Sequence, residues 1–213
     1  AHGDIVVWGA WISFTLAQLI LPRLGLDPHN PALPPPWWVG GTILIMSMTA
    51  CAILGFVIER LAYRPLRRAP RLNVLITAIG VSLLLQNVGQ LNFVFGASPQ
   101  KMPALVPNLE LLRLSLPSGD GTRDVVIGLI DVLIIGTSAA LMMLLQYLVF
   151  HTKLGVAMRA VSFDFDAAAL MGVPVDRVVS FTFVLGSALA AAAGFLYALK
   201  YPGLNQPAHA TWV

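Results

Sequence analysis

Apolar residues occur in five long runs along the chain, separated by polar, proline-rich or arginine-rich segments. The runs cover residues 5–21, 38–58, 74–95, 125–150 and 178–201. A helix rises about 1.5 Å per residue and a bilayer core is about 30 Å thick, so about 20 apolar residues are needed to cross it. Because the runs do not alternate as barrel strands do, helices are the structure that satisfies their backbone groups in lipid. The pattern therefore predicts an all-α integral membrane protein with about five transmembrane helices.

The composition supports lipid as the surroundings of the chain. Of 213 residues, 57% are hydrophobic and only 11% are charged, whereas soluble domains carry about a quarter charged residues. This excludes an ordinary soluble globule, a disordered chain and a disulfide-stapled secreted domain. The net charge of +3 carries less information than the positions of the basic residues, which set orientation in a membrane protein. We expect a bilayer rather than nucleic acid as the partner, with the single Cys51 as a small core residue.

Basic residues concentrate in two segments that fall on the same side of the five runs. Segment 59–73 holds five arginines and segment 151–177 holds three further basic residues, which together make eight of the 13 lysines and arginines. The positive-inside rule places both segments in the cytoplasm. Trp37 and Trp38 then lie at the opposite interface, where aromatic side chains are common.

A polar stripe interrupts the third apolar run. Ser82, Gln86 and Gln90 recur every four residues, and Asn87 lies beside them, so the side chains share one helical face. Amide side chains are costly in lipid, so this face is expected to turn toward other helices or toward a water-filled path. Both interpretations stay open: interhelical hydrogen bonding, and the lining of a translocation path.

The last two runs contain one acid and one stripe of small residues. Asp131 is expected about two turns into the fourth run from the outer side, as the only acid within a span. It is either a hydrated acid near the interface or a pathway residue. Gly186, Ala190 and Gly194 lie four residues apart, which predicts a helix-packing face.

The cytoplasmic segment 151–177 predicts a short helix of two or three turns. Ser162 or Asp164 can cap its start, acidic residues favour its N-terminal end, and alanines continue it. Gly172 can end it in a left-handed conformation, and Pro174 prevents it from resuming. The residues concerned are Asp164, Asp166, Ala167, Ala168, Ala169, Leu170 and Gly172. Such a helix either lies on the membrane surface or docks a cytoplasmic partner.

The sequence offers no chemistry for catalysis. It contains no G-x-x-x-x-G-K-[ST] phosphate-binding loop, so nucleotide chemistry would have to come from another subunit. Its histidines have no metal-ligand spacing; they are His2, His29, His151 and His209. We therefore predict no catalytic residue, no metal and no enzyme. A channel, a secondary transporter and a membrane-embedded enzyme are the alternatives from other classes.

Three passages carry a resemblance to a known family. They read AHGDIVVWGAW, ERLAYRPLRRAPRLNVLITAIGVSLLLQN and RAVSFDFDAAALMGVPVDRVVSFTFVLGSALAAAAG. The chain resembles the permease subunits of branched-chain amino acid ABC transporters, in particular the LivH type. The similarity extends over nearly the whole chain and weakens in the outer loops. The family's first helix and its C-terminal third have no counterpart, so we expect a single, partial transmembrane domain over residues 1–213.

The resemblance implies a transport function and a set of partners. Family members pair with a second permease subunit and two cytoplasmic ATPase subunits, and an external binding protein delivers their substrate. ATP would be bound by the partner subunits, so no cofactor is expected on this chain. The helix at 164–172 would be the coupling helix that docks the ATPase. The implied location is the bacterial cytoplasmic (inner) membrane. The implied substrates are branched-chain or related amino acids, with amides or urea as the alternative.

Overall fold

The computed structural model describes residues 2–26, 35–66, 70–91, 94–96, 100–103, 105–106, 110–118, 121–201 and 203–204. Its helices are α1 (His2–Ile20), α2 (Trp37–Ile58), α3 (Arg71–Gly89), α4 (Leu129–His151), α5 (Lys153–Phe163), α6 (Phe165–Leu170) and α7 (Val175–Lys200). All except α5 and α6 are long and apolar enough to cross a membrane. The prediction of an all-α membrane protein with about five spans is confirmed.

Helices α1, α2 and α7 pack together and form the core. Small residues let their backbones approach closely, which is how helices gain van der Waals contact in lipid. A Cβ at Gly9 of α1 would lie 2.5 Å from the Cα of Ala191, and one at Gly55 of α2 would overlap the Ser187 hydroxyl. In contrast, no described side chain of α4 is buried, so α4 lies at the edge of this bundle.

Two antiparallel strand pairs accompany the helices in the part of the chain that the structure describes. β1 (Gln100–Lys101) pairs with β4 (Gly203–Leu204), and β2 (Glu110–Ser118) pairs with β3 (Gly121–Gly128). β3 includes the start of the fourth apolar run, so α4 begins only at Leu129. Helix α3 ends at Gly89, before its apolar run does.

The segment after α2 is more helical than a loop. A π-helical turn (Glu59–Tyr63) and a 3-10 turn (Arg64–Leu66) continue the helix. The predicted cytoplasmic loop 59–73 is therefore helical over its first half. The extension carries Glu59 and the first two arginines of this loop alongside α7.

Ion pairs join α7 to a neighbouring helix near each of its ends. Arg64 contacts Asp176 at 3.1 Å near the start of α7, and Lys200 contacts Asp131 at 2.7 Å at its end. Asp131 also accepts a hydrogen bond from the Gly128 amide at 3.2 Å, which places it in the first turn of α4. The expected position two turns into a span is wrong, because the helix starts later than its apolar run.

Candidate translocation and coupling sites

Asp4 of α1 is the centre of a polar cluster between α1 and α3. Ser82 donates a hydrogen bond to its Oδ2 at 2.5 Å, and the Gln86 amide donates one to its Oδ1 at 2.9 Å. The Asp4 residue is only 5% exposed. One helical turn along α1, the Trp8 indole donates to the Leu85 carbonyl at 3.2 Å. Two members of the predicted polar stripe thus converge on a carboxylate.

Asp4 lies at mid-depth in the bundle. Its neighbour Ile5 forms a buried cluster with Cys51 and Ala191, which lie well inside α2 and α7. A carboxylate at such depth is costly unless hydrogen bonds or a countercharge stabilise it. The expectation that Asp131 is the only acid within a span is therefore wrong. The acid of the AHGD passage is the signal in the sequence that could have indicated this.

The other members of the stripe do not join the cluster. The Asn87 amide donates to the Leu83 carbonyl of its own helix at 2.7 Å, and the residue is exposed. Gln90 follows the end of α3 as its C-cap. Gln90 is half-buried, and no hydrogen bond joins it to Asp4 within the described residues.

Glu59 is a second buried acid, at the opposite end of α2 from Trp37. It is 0% exposed, and its Oε2 accepts a hydrogen bond from the Ser180 hydroxyl at 2.6 Å. The burial of Glu59 was not expected from the sequence, because Glu59 stands directly before the arginine-rich segment. The contact holds the π-helical turn against α7.

The packing face of α7 is centred one residue away from the predicted stripe. Ser187, Ala191 and Gly194 are buried, whereas Gly186 and Ala190 are half-buried. A Cβ at Gly194 would overlap the Val6 carbonyl and lie 2.9 Å from the Ala10 amide nitrogen. The described partners of this face are α1 and α2 of the same chain.

The short helix α6 has a defined cap at each end. The Asp164 carboxylate accepts hydrogen bonds from the amides of Asp166 and Ala167 at 3.0 and 2.9 Å. Gly172 has a φ of +81°, and the amide of Val173 reaches back to the Ala168 carbonyl at 3.1 Å, which is the pattern of a Schellman cap. The helix is six residues long, shorter than the two or three turns expected, because Asp164 is its cap and Ser162, the other candidate, belongs to α5.

Helix α6 has one buried position and a broad exposed surface. Ala168 is 5% exposed, whereas Leu170 and Met171 are 88% and 85% exposed. Helix α5 precedes it, and the Thr152 hydroxyl caps α5 by accepting a hydrogen bond from the Gly155 amide at 3.1 Å. The caps define where α6 begins and ends, and the helix presents Ala168 to the protein and leaves Leu170 exposed.

The described residues contain no group of three or more histidine, cysteine, aspartate or glutamate side chains that could hold a metal ion. Their polar groups are instead arranged as hydrogen-bonded contacts between helices and as helix caps. This arrangement can hold helices together, line a path for a solute or pass a movement from one helix to another.

The model of the family described as the branched-chain amino acid transport system / permease component matches residues 1–211. The chain belongs to this permease family. It is 32% identical over 210 residues to the high-affinity branched-chain amino acid transport system permease protein BraD of Pseudomonas aeruginosa. It is 31% and 30% identical over 207 residues to the LivH proteins of Salmonella typhimurium and Escherichia coli K12. No solved structure matches the chain.

In each of these matches, the matched region covers 96% of this chain but only 62% of the length of the relative. Membership of the permease family, together with five helices apolar enough to cross a bilayer, identifies a multi-pass protein of the bacterial inner membrane. The family consists of transport components rather than enzymes.

Proposed function

We propose that this chain is the membrane-spanning part of a permease subunit in an ATP-driven importer of branched-chain or related amino acids. Its relatives are named as branched-chain amino acid permeases, and the sequence has no phosphate-binding loop of its own. The proposed partners are a second permease subunit, two cytoplasmic ATPase subunits that bind the ATP, and an external binding protein.

The observation that carries the proposal is the exposed apolar surface of α6. Leu170 and Met171 are almost fully exposed on a helix whose two ends are fixed by caps. A rigid, short helix at the end of a bundle can transmit a displacement, whereas a flexible loop would absorb it. We propose that α6 is the coupling helix and that ATP-driven movement of the ATPases is passed through α6 to α7.

The translocation path is proposed to run beside Asp4, Ser82 and Gln86. Their cluster is the only carboxylate–amide network described at mid-depth, where alternating-access transporters bind their substrates. The close contacts of α1 and α2 with α7 at glycine and alanine positions would let these helices shift against one another during the cycle.

A single charge placed on the exposed apolar surface of α6 tests this proposal. Leu170→Arg in the complete permease, assembled with its ATPases in proteoliposomes, should abolish leucine uptake and the stimulation of ATPase activity by loaded binding protein. Because Leu170 is exposed, the permease itself should fold normally. The control is Ala160→Arg on the exposed part of α5. Undiminished coupling in Leu170→Arg would refute the assignment of α6.

The same proteoliposomes test the substrate class. Uptake of leucine, isoleucine and valine should exceed uptake of urea and of small amides at equal concentration. A preference for urea or amides would refute the proposed substrate class but would not contradict the proposal of an ATP-driven permease.

A further inference from the structure

A cleft of about 970 Å³ lies at the end of the bundle between α2, its helical extension, α6 and the start of α7. It is separate from the Asp4 cluster, which is at mid-depth between α1 and α3. Ligand-binding clefts in proteins usually have volumes of about 300 to 1,000 Å³. The cleft can therefore hold a molecule at the upper end of this size range.

The lining of the cleft changes from apolar to basic along the helix axes. Two antiparallel helices repeat the same order, with aromatic and aliphatic side chains toward the middle of the bundle and arginines toward its cytoplasmic end. In this order the side chains are Phe56, Arg60 and Arg64 on α2 and its extension, and Val184, Phe181 and Arg177 on α7. The walls thus have the polarity of one leaflet of a bilayer.

The basic end of the cleft carries uncompensated charge. Arg64 forms an ion pair with Asp176 at 3.1 Å. Arg60 and Arg177 are exposed, and neither has an ion-pair partner within the described ranges. Guanidinium groups bind phosphate oxygens in a two-pronged geometry. Two available guanidinium groups above an apolar wall are complementary to an anionic phosphate that has hydrocarbon attached.

We infer that this cleft binds an anionic phospholipid of the cytoplasmic leaflet, with its phosphate at Arg60 and Arg177 and its acyl chains along Phe56, Phe181 and Val184. Basic pockets between helices on the cytoplasmic side of a membrane are suited to such head groups. A zwitterionic lipid has the same hydrocarbon but no net negative charge, so it should bind less well.

The lipid would also contact the proposed coupling helix. Phe165 and Ala169 of α6 line the same cleft, and Phe165 is 46% exposed. A bound acyl chain or head group would cover this face of α6 and support it from the membrane side. Lipid binding at this cleft is distinct from the proposed transport function and does not depend on which substrate the permease carries.

The test places a fluorescent reporter on the apolar wall. Phe181→Trp in the complete permease complex is reconstituted in nanodiscs of phosphatidylcholine with an increasing fraction of phosphatidylglycerol. In one series the phosphatidylglycerol is brominated in its acyl chains, and in the other the phosphatidylcholine is. The signal of the reporter is the fluorescence of the Phe181→Trp complex minus the fluorescence of the complex that retains Phe181. Brominated phosphatidylglycerol should quench the reporter at a much lower fraction than brominated phosphatidylcholine does.

Removing the two arginines should abolish this preference. Each basic residue near an anionic surface contributes about a fivefold change in affinity, so Arg60→Gln with Arg177→Gln should weaken phosphatidylglycerol binding roughly 25-fold. Arg113→Gln with Arg123→Gln, which removes the same charge from the β2–β3 hairpin, should leave the preference unchanged. Equal quenching by both lipids would refute the site. Absence of quenching by either lipid would mean that protein covers the cleft, and would refute it as well.

Discussion

The contact between α2 and α7 at Gly55 allows a quantitative test of the core. A Cβ at this position would overlap the Ser187 hydroxyl and lie 2.5 Å from the Ser187 Cβ, with the Phe183 carbonyl at 3.2 Å. The Ser187 hydroxyl is buried and has no hydrogen-bond partner among the described atoms. Gly55→Ala should therefore force the two helices apart.

The expected cost follows from overpacking of a close-packed interface. Inserting a methyl group into such a contact typically destabilises by about 1 to 3 kcal/mol. Ser187→Gly removes the two nearest of the three atoms that the new methyl group meets and leaves only the Phe183 carbonyl at 3.2 Å. It loses no described hydrogen bond, although glycine in a helix costs roughly 0.5 to 1 kcal/mol. The double variant should consequently be about as stable as Ser187→Gly alone, which is a coupling energy of about 1 to 3 kcal/mol.

The assay is reversible unfolding of the complete permease in mixed micelles, with the two single variants and the double variant forming a thermodynamic cycle. Gly136→Ala on α4 is the matched control, because a Cβ there meets nothing within 4 Å, and it should not destabilise. Wild-type stability of Gly55→Ala, or additive effects in the double variant, would show that α2 and α7 do not pack at these residues.

Three further predictions concern the path, the cap and the orientation. Gln86→Leu should lower leucine uptake without loss of assembly, because it removes a hydrogen-bond donor from Asp4. Asn87→Leu should leave uptake unchanged, because Asn87 is bonded within its own helix. Unchanged uptake in both variants would mean that Gln86 serves helix packing only. Asp164→Ala removes two capping hydrogen bonds worth about 1 kcal/mol, so hydrogen exchange at the amides of Asp166 and Ala167 should become about fivefold faster. Asp164→Ser should retain slow exchange, because serine can also cap a helix. Equal exchange rates in the wild type and both variants would contradict the cap. In intact cells a membrane-impermeant maleimide should label Arg23→Cys but not Phe163→Cys, although the Phe163 position is 95% exposed in the structure. The native Cys51 is fully buried and should not react. Labelling of Phe163→Cys alone would show that the predicted topology is reversed.

The sequence was sufficient where structure depends on local pattern. Apolar run length predicted the long helices, and the order of Asp164, alanines and Gly172 predicted the position and the caps of α6. These features depend on residues within a few turns of one another. The leucines at 112, 114 and 116 alternate with other residues, and this alternation was the available signal for β2 in a segment that we expected to be a loop.

The sequence was insufficient where residues distant along the chain meet. Nothing near Asp4 indicates that Ser82 and Gln86 will satisfy its carboxylate, and nothing near Glu59 indicates Ser180. The packing stripe of α7 was displaced by one residue for the same reason: the choice between Gly186 and Ser187 depends on the direction from which α1 and α2 approach. Such choices are made by tertiary contact, which periodicity alone does not specify.

The core formed by α1, α2 and α7 has a consequence for the order in which the protein can be made. Its first two helices leave the ribosome early, but α7 supplies Ala191 against Gly9, Ser187 against Gly55 and Ser180 for the buried Glu59. Until α7 is synthesised, α1 and α2 lack these contacts, although α3 already supplies Ser82 and Gln86 to Asp4, and Glu59 lacks the Ser180 donor. Contacts between such distant parts of a chain form late in folding. Biogenesis should therefore have a long interval in which an incomplete bundle needs protection, by the insertion machinery or by a membrane chaperone, from pairing with other chains.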